Sequence, residues 1–207
     1  MRLTHVTDDV RTAILDAAER LLERYGYKKM TVDDIAREAG IGKGSVYLHF
    51  PSKEAVALSC IDRINDQLRE KLRDIAQRDE PYTSRVRVML RERVIHRFDS
   101  IRHSRASLDE MLDAILPALY LRRSGYLEAE AVIFADVLRE GAIAGVFAID
   151  DAKHMAHTIL IATNGLLPHR LSPAELGDRD EVIASVDRIA MLLLHGLIAR
   201  GDDEYGA

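Results

Sequence analysis

Gly40-Ile41-Gly42 leaves the chain only three residues in which to turn between two short helical stretches, and that brevity constrains the fold more than any other feature. Ahead of the turn, Thr31 and Asp34 stand three apart. This is the spacing of a reciprocal cap, in which a hydroxyl and a carboxylate each take up an unbonded N–H at a helix start. The helix they open is expected to run to about Ala39. After the turn, Lys43 to Phe50 resumes helical spacing through Val46 and Phe50. Ala36 is small where two such helices cross, Gly40 opens the turn, and Ile35, Ile41 and Val46 supply a small core. The pattern is that of a helix-turn-helix, although an ordinary helical hairpin fits the same positions.

The rest of the chain also reads as helix. From Asp8 to Tyr25, the residues Val10, Ile14, Ala17, Ala18, Leu21, Leu22 and Tyr25 recur at steps of three and four, with charged residues between them. Gly26 is expected to stop this helix in a left-handed conformation, followed by the basic Lys28 and Lys29. Tyr25 and Phe50 read as core. Only 12 Gly and 5 Pro occur in 207 residues, and no evenly spaced runs of Val, Ile and Thr lie between turn signals, so the predicted class is all-α. No stretch reaches the roughly 20 uncharged apolar residues of a membrane span, and Met1 to Asp9 lacks the apolar centre of a signal peptide, so a cytoplasmic location is expected. Cys60, the single cysteine, excludes an internal disulfide and reads as a small apolar residue.

Thr31 to Ala55, TVDDIAREAGIGKGSVYLHFPSKEA, resembles the DNA-binding signature of the TetR family of repressors. The likeness covers the recognition helix, Tyr47 to Phe50, and the Ser52-Lys53-Glu54 start of the next helix. Gly42 departs from it, standing where the family commonly has a Ser cap. The resemblance implies two domains, a three-helix DNA-binding head over residues 1–53 and a helical effector-binding and dimerisation domain over 54–207. Composition alone would not suggest DNA: the first 53 residues carry nine Lys and Arg against eight Asp and Glu, and the acidic excess lies in the remainder. Phosphate binding depends on where cations sit, however, not on their total.

A recognition helix reads base edges with its N-terminal residues, here Lys43, Gly44 and Ser45. Lys43 can donate to guanine or phosphate, Gly44 lets the backbone approach, and Ser45 can donate or accept. Tyr47 and His49 are expected to reach phosphates or thymine methyls. Thr31 caps the second helix and offers its hydroxyl to a phosphate, and Lys53 resembles the family's phosphate-binding lysine.

Beyond the head, Ser52 to Arg78 reads as one long helix with a stripe of Val56, Leu58, Ile61, Ile64, Leu68, Leu72 and Ile75. Thr83 to Phe98 reads as another helix, 99–107 as a polar connection, and Leu108 to Leu121 as a helix that Pro117 should kink or end. Tyr126 to Ile143 and Asp180 to Ala199 resemble the family's dimerising pair. The apolar Met89, Met111, Ile115, Leu119, Tyr120 and Phe134 suit a lipophilic effector, and plain core is their other reading. His154 and His157, three apart, with His96, His103, His169 and His195 in the same domain, make a metal- or haem-sensing regulator the alternative. No phosphate loop, zinc-protease motif or nucleophile elbow points to an enzyme, and no cofactor is called for. A helical interaction module without DNA binding is the third reading, opposed by the cations and hydroxyls at positions 43 to 53. The expected partners are a palindromic double-stranded operator, a second copy of the chain and a small effector.

Overall fold

The structure, a computed structural model, describes residues 2–101, 105–167 and 178–197. His103, His169, Ile198 and Ala199 lie outside the described residues. Eight α-helices are present among those described: α1 (Arg2–Lys29), α2 (Val32–Glu38), α3 (Lys43–His49), α4 (Lys53–Ala76), α5 (Tyr82–Ile101), α6 (Arg105–Ile143), α7 (Ala152–Ala162) and α8 (Arg179–Leu197), with a short 3₁₀ turn at Asn164–Leu166. Among the described residues the fold is all-α, with an N-terminal helix-turn-helix followed by longer helices. None of the helices is long and apolar enough to cross a membrane, among the described residues.

These helices form two compact units. The first runs through Asn65 and also takes in Ile101–Arg122; the second comprises Asp66–Ser100 and the chain from Arg123 onward. The first unit therefore reaches beyond residue 53, into the leading halves of α4 and α6.

The core of the first unit joins Ile14, Ala17, Ala18 and Leu21 of α1 to Ile35 and Ala36 of α2, Val46 of α3 and Val56 and Ala57 of α4. Met111 and Ile115 of α6 complete it. Each large aliphatic side chain buried here contributes roughly 1.5–3 kcal/mol, so so small a head draws appreciable stability from these two α6 residues. Polar ties follow the same packing: Arg63 of α4 pairs with Asp16 at 2.6 Å and Glu19 at 2.5 Å on α1, and Arg122 of α6 pairs with Asp62 of α4. Cys60 is buried in this core, and burial, reinforced by neighbouring carboxylates, pushes its thiol up to about 12.

Two expectations about α1 need correction. Gly26 does interrupt the helix, but at φ 77° and ψ 168°, an extended positive-φ conformation open essentially to glycine, not the left-handed helical cap. The chain redirected there places Tyr27 in the core at 4% exposure, whereas Tyr25, read as core, is 53% exposed. Phe50 is buried as expected.

α6 corrects a third expectation. Leu108–Leu121 and Tyr126–Ile143 are not separate helices but parts of one 39-residue helix that runs on through Pro117 and Gly125. Local breakers are overridden because α6 buries Met111 and Ile115 in one core and Ala131, Phe134, Ala135 and Leu138 in the other. The connection expected at 99–107 is likewise shorter, since α5 extends to Ile101 and α6 begins at Arg105.

The second unit packs Leu68 and Leu72 of α4, Met89, Leu90 and Val94 of α5, Phe134 and Leu138 of α6, Ile159 and Leu160 of α7 and Val186 and Ala190 of α8 around one apolar core. A charged network lies buried within this unit. Arg93 donates through Nε to Glu130 at 2.6 Å, through Nη1 to Thr163 Oγ1 at 3.0 Å and through Nη2 to Asn164 Oδ1 at 2.6 Å, and Arg97 binds the other Glu130 oxygen. Burial works to raise the Glu130 pKa, but the two guanidinium groups outweigh it and hold the carboxyl below its ordinary value.

Candidate nucleic-acid interface

The turn between α2 and α3 is built as the sequence suggests. Thr31 is the N-cap of α2: its Oγ1 accepts from the Asp34 N–H at 3.1 Å, and the Asp34 carboxylate accepts from the Thr31 N–H at 3.3 Å. Gly40 takes a positive φ of 69°, and its neighbour Ile41 donates its N–H to the Ala36 carbonyl at 3.0 Å, folding the turn back on α2. Gly42 caps α3 with no side-chain bond.

α3 has seven residues and two sharply different sides. Val46 is fully buried, and Phe50, just beyond the helix, is 3% exposed. Those two anchors orient the rest. Lys43 and Tyr47 are four apart, as are Gly44 and Leu48, so they form adjacent ridges of the outward side. Tyr47 is 48% exposed and Leu48 85%, while Ser45 and His49 are half-buried at the flanks. Leu48 was missed in the sequence, although its signal is there: once Val46 and Phe50 are assigned to the core, helical spacing places 48 opposite them.

Each cation of the site has a present partner. Lys43 donates to Asp33 Oδ2 at 2.8 Å, and that hydrogen bond raises its pKa, so it stays charged. Both partners are exposed, and such pairs in water exchange readily for a phosphate or base edge. Lys53 donates to the Tyr27 carbonyl at 3.1 Å and lies 4.2 Å from the centre of the Tyr27 ring, with its side chain only partly exposed. The Tyr27 hydroxyl donates to Glu54 at 3.2 Å, and burial first, then Glu54, pushes the phenol up to about 12. This knot ties the end of α1 to the start of α4 and fixes Lys53. Thr31 is exposed, but its hydroxyl donates to Asp34 at 2.6 Å, so a phosphate there would meet the Asp33 and Asp34 carboxylates.

The residues singled out for an effector divide between the two cores. Met111 and Ile115 are buried in the first unit, with Leu119 packed against them; Met89 and Phe134 are buried in the second. Tyr120 is 58% exposed. Of the histidines, His157 uses both ring nitrogens locally, Nε2 facing Glu128 at 2.8 Å and Nδ1 the Lys153 carbonyl at 2.9 Å. His154 is exposed beside the Asp151 cap. Among the described residues no three His, Cys, Asp or Glu side chains group as a metal site would require.

Comparison with known proteins places the head. Residues 14–60 match the family described as bacterial regulatory proteins, tetR family. The transcriptional regulator EthR of Mycobacterium tuberculosis is 44% identical over 70 residues, which is 34% of this chain and 32% of that protein. The chain thus spans about a third of the length of the curated relatives it matches. The fold is similar over nearly the whole chain to a TetR-family regulator of Pectobacterium atrosepticum, with TM-score 0.70, 20% identity and coverage of 96% of this chain and 99% of that one. It is also similar to SmeT in complex with triclosan, with TM-score 0.61, 22% identity and coverage of 93% of each chain.

Proposed function

We propose, from the premise that residues 14–60 form the DNA-binding head of a TetR-family regulator, that this chain is a ligand-responsive transcriptional repressor. It binds a palindromic operator as a homodimer and is released by a small lipophilic effector. The observation that carries this reading is α3, seated by Val46 and Phe50 so that Lys43, Gly44, Tyr47 and Leu48 form one outward surface. A side presenting a cation, a bare backbone, a phenol and an aliphatic group matches what a major groove offers: phosphate and guanine, close approach, and thymine methyls.

Dimerisation is supported by apolar side chains left uncovered on the later helices, with Ile161 59% exposed on α7 and Met191 and Leu192 56% and 74% exposed on α8. A two-fold dimer presents two α3 helices to half-sites about one DNA turn, roughly 34–36 Å, apart. Effector control is supported by the triclosan complex of the structurally similar SmeT. A coupling of about 1–3 kcal/mol between effector and operator would lower DNA affinity from several-fold to about a hundredfold.

The test is retention of fragmented genomic DNA from the source organism by the purified protein, with the Lys43→Ala, Tyr47→Ala double variant alongside. Enrichment of fragments sharing a palindrome, lost in the variant, is the expected result. Equal retention by both proteins would remove α3 from the DNA and overturn the reading.

A further inference from the structure

We propose that Asp33 and Lys43 act as one reading unit for a G·C base pair, Lys43 donating to guanine and Asp33 accepting from cytosine. Such a role rests on the DNA-binding regulator inferred above, and it fixes one base pair that each half-site must contain. Lys43 opens α3, at the end where a recognition helix meets base edges, and Asp33 stands in the first turn of α2. Ten positions apart, the two meet across the turn: Lys43 Nζ donates to Asp33 Oδ2 at 2.8 Å, and the side chains are 51% and 57% exposed. Asp34, next in sequence, is engaged within α2 by Thr31 and by Arg37 at 3.3 Å. Of these two neighbouring acids it is Asp33 that reaches the start of α3. Gly44, which follows Lys43, has open space where a Cβ would point, so no side chain there holds the pair away from a base.

A carboxylate on a DNA-facing surface is repelled by phosphates, and its pairing with Lys43 offsets the charge by which that lysine would attract them. The pair is therefore poorly suited to the DNA backbone and well suited to a base edge that offers acceptors and a donor together. An ammonium group has three N–H bonds to donate. With one given to Asp33, Lys43 keeps two, and guanine presents two neighbouring acceptors, N7 and O6, in the major groove. The paired cytosine presents its N4 donor, which is hydrogen-bonded to O6 and so lies roughly 2.9 Å from it. That spacing matches the 2.8 Å between Lys43 Nζ and Asp33 Oδ2, so each atom of the protein pair can face its complement on the base pair. In an A·T pair the purine has N7 as its single major-groove acceptor, and Lys43 loses a bond there.

The experiment selects duplexes from a random library with the full chain, then measures affinity by fluorescence anisotropy for a selected duplex and for versions carrying A·T at each G·C position in turn. Low salt is used, so that every variant still binds through phosphates. In the parent, replacing one particular G·C pair of each half-site is expected to weaken binding about tenfold. In Asp33→Ala, and separately in Lys43→Ala, replacing that same pair should change affinity less than about twofold, while replacements elsewhere keep their parental effect. A merely structural role for Asp33 would instead weaken every duplex alike, and circular dichroism of each variant reports folding. A preference that survives in Asp33→Ala, or preferences lost at different base pairs in the two variants, would overturn the proposal and leave the regulator reading standing. Selection of no duplex by the folded parent would overturn the regulator reading, and the paired reader with it.

Discussion

Gly44 stands in the first turn of α3 with open space where a Cβ would point. An alanine there meets nothing in the protein and restricts the unfolded chain, so Gly44→Ala is expected to raise stability by about 0.5–1 kcal/mol. The added methyl would instead stand between the helix and its DNA, and retention of operator fragments should fall about tenfold. Unchanged retention would show that the backbone at Gly44 does not approach DNA closely. Glu130 presents the opposite case, a side chain whose loss harms the fold first. Glu130→Gln leaves Arg93 and Arg97 without their counter-charge in the interior and is expected to cost about 3–5 kcal/mol in chemical denaturation. Because the folded-state pKa of Glu130 is held below its unfolded value near 4.3, its contribution is present above that pH and is lost as pH falls through the folded value. Acid titration of stability should therefore be steeper below about pH 4 in the parent than in Glu130→Gln.

Among the elements, α3 is short and lacks a side-chain cap, whereas α6 is long and contains a proline. Ser in place of Gly42 would supply the cap and is expected to add only a few tenths of a kcal/mol, because glycine is itself a tolerable N-cap. Pro117 lies twelve residues into α6, exposed, and deprives the carbonyl four residues before it of a helical donor. Since proline in a helix interior costs about 3 kcal/mol relative to alanine, Pro117→Ala should raise the urea midpoint, with a gain of up to about that size. A lower midpoint would mean that the ring or a local bend at 117 serves the packing of Met111 and Ile115. The helix-turn-helix was legible because its signals are local: the Thr31 and Asp34 cap, Gly40 and the Val46 to Phe50 spacing each act within one turn. Tyr25 and the break in α6 were misread for the complementary reason, that burial and chain continuity there are decided by distant partners.

For the whole molecule, the uncovered Ile161, Met191 and Leu192 lead to an expected dimer in sedimentation equilibrium. Leu192→Arg, at a position 74% exposed and so harmless to the fold of one chain, should weaken that dimer about tenfold or more and reduce operator retention in parallel. An unaltered association constant would place the dimer surface elsewhere. The sequence by itself determined the helical class, the turn at Gly40, the Thr31–Asp34 cap and the outward order of Lys43, Gly44 and Tyr47, because these depend on spacing along one or two helical turns. Only the tertiary structure decided that Met111 and Ile115 pack with the head while Met89 and Phe134 pack in the second unit, and that Arg93, Arg97, Glu130, Thr163 and Asn164 meet in the interior. Those facts join residues up to seventy or more positions apart, and no periodicity within a single helix carries the information of which distant side chain fills the space beside it.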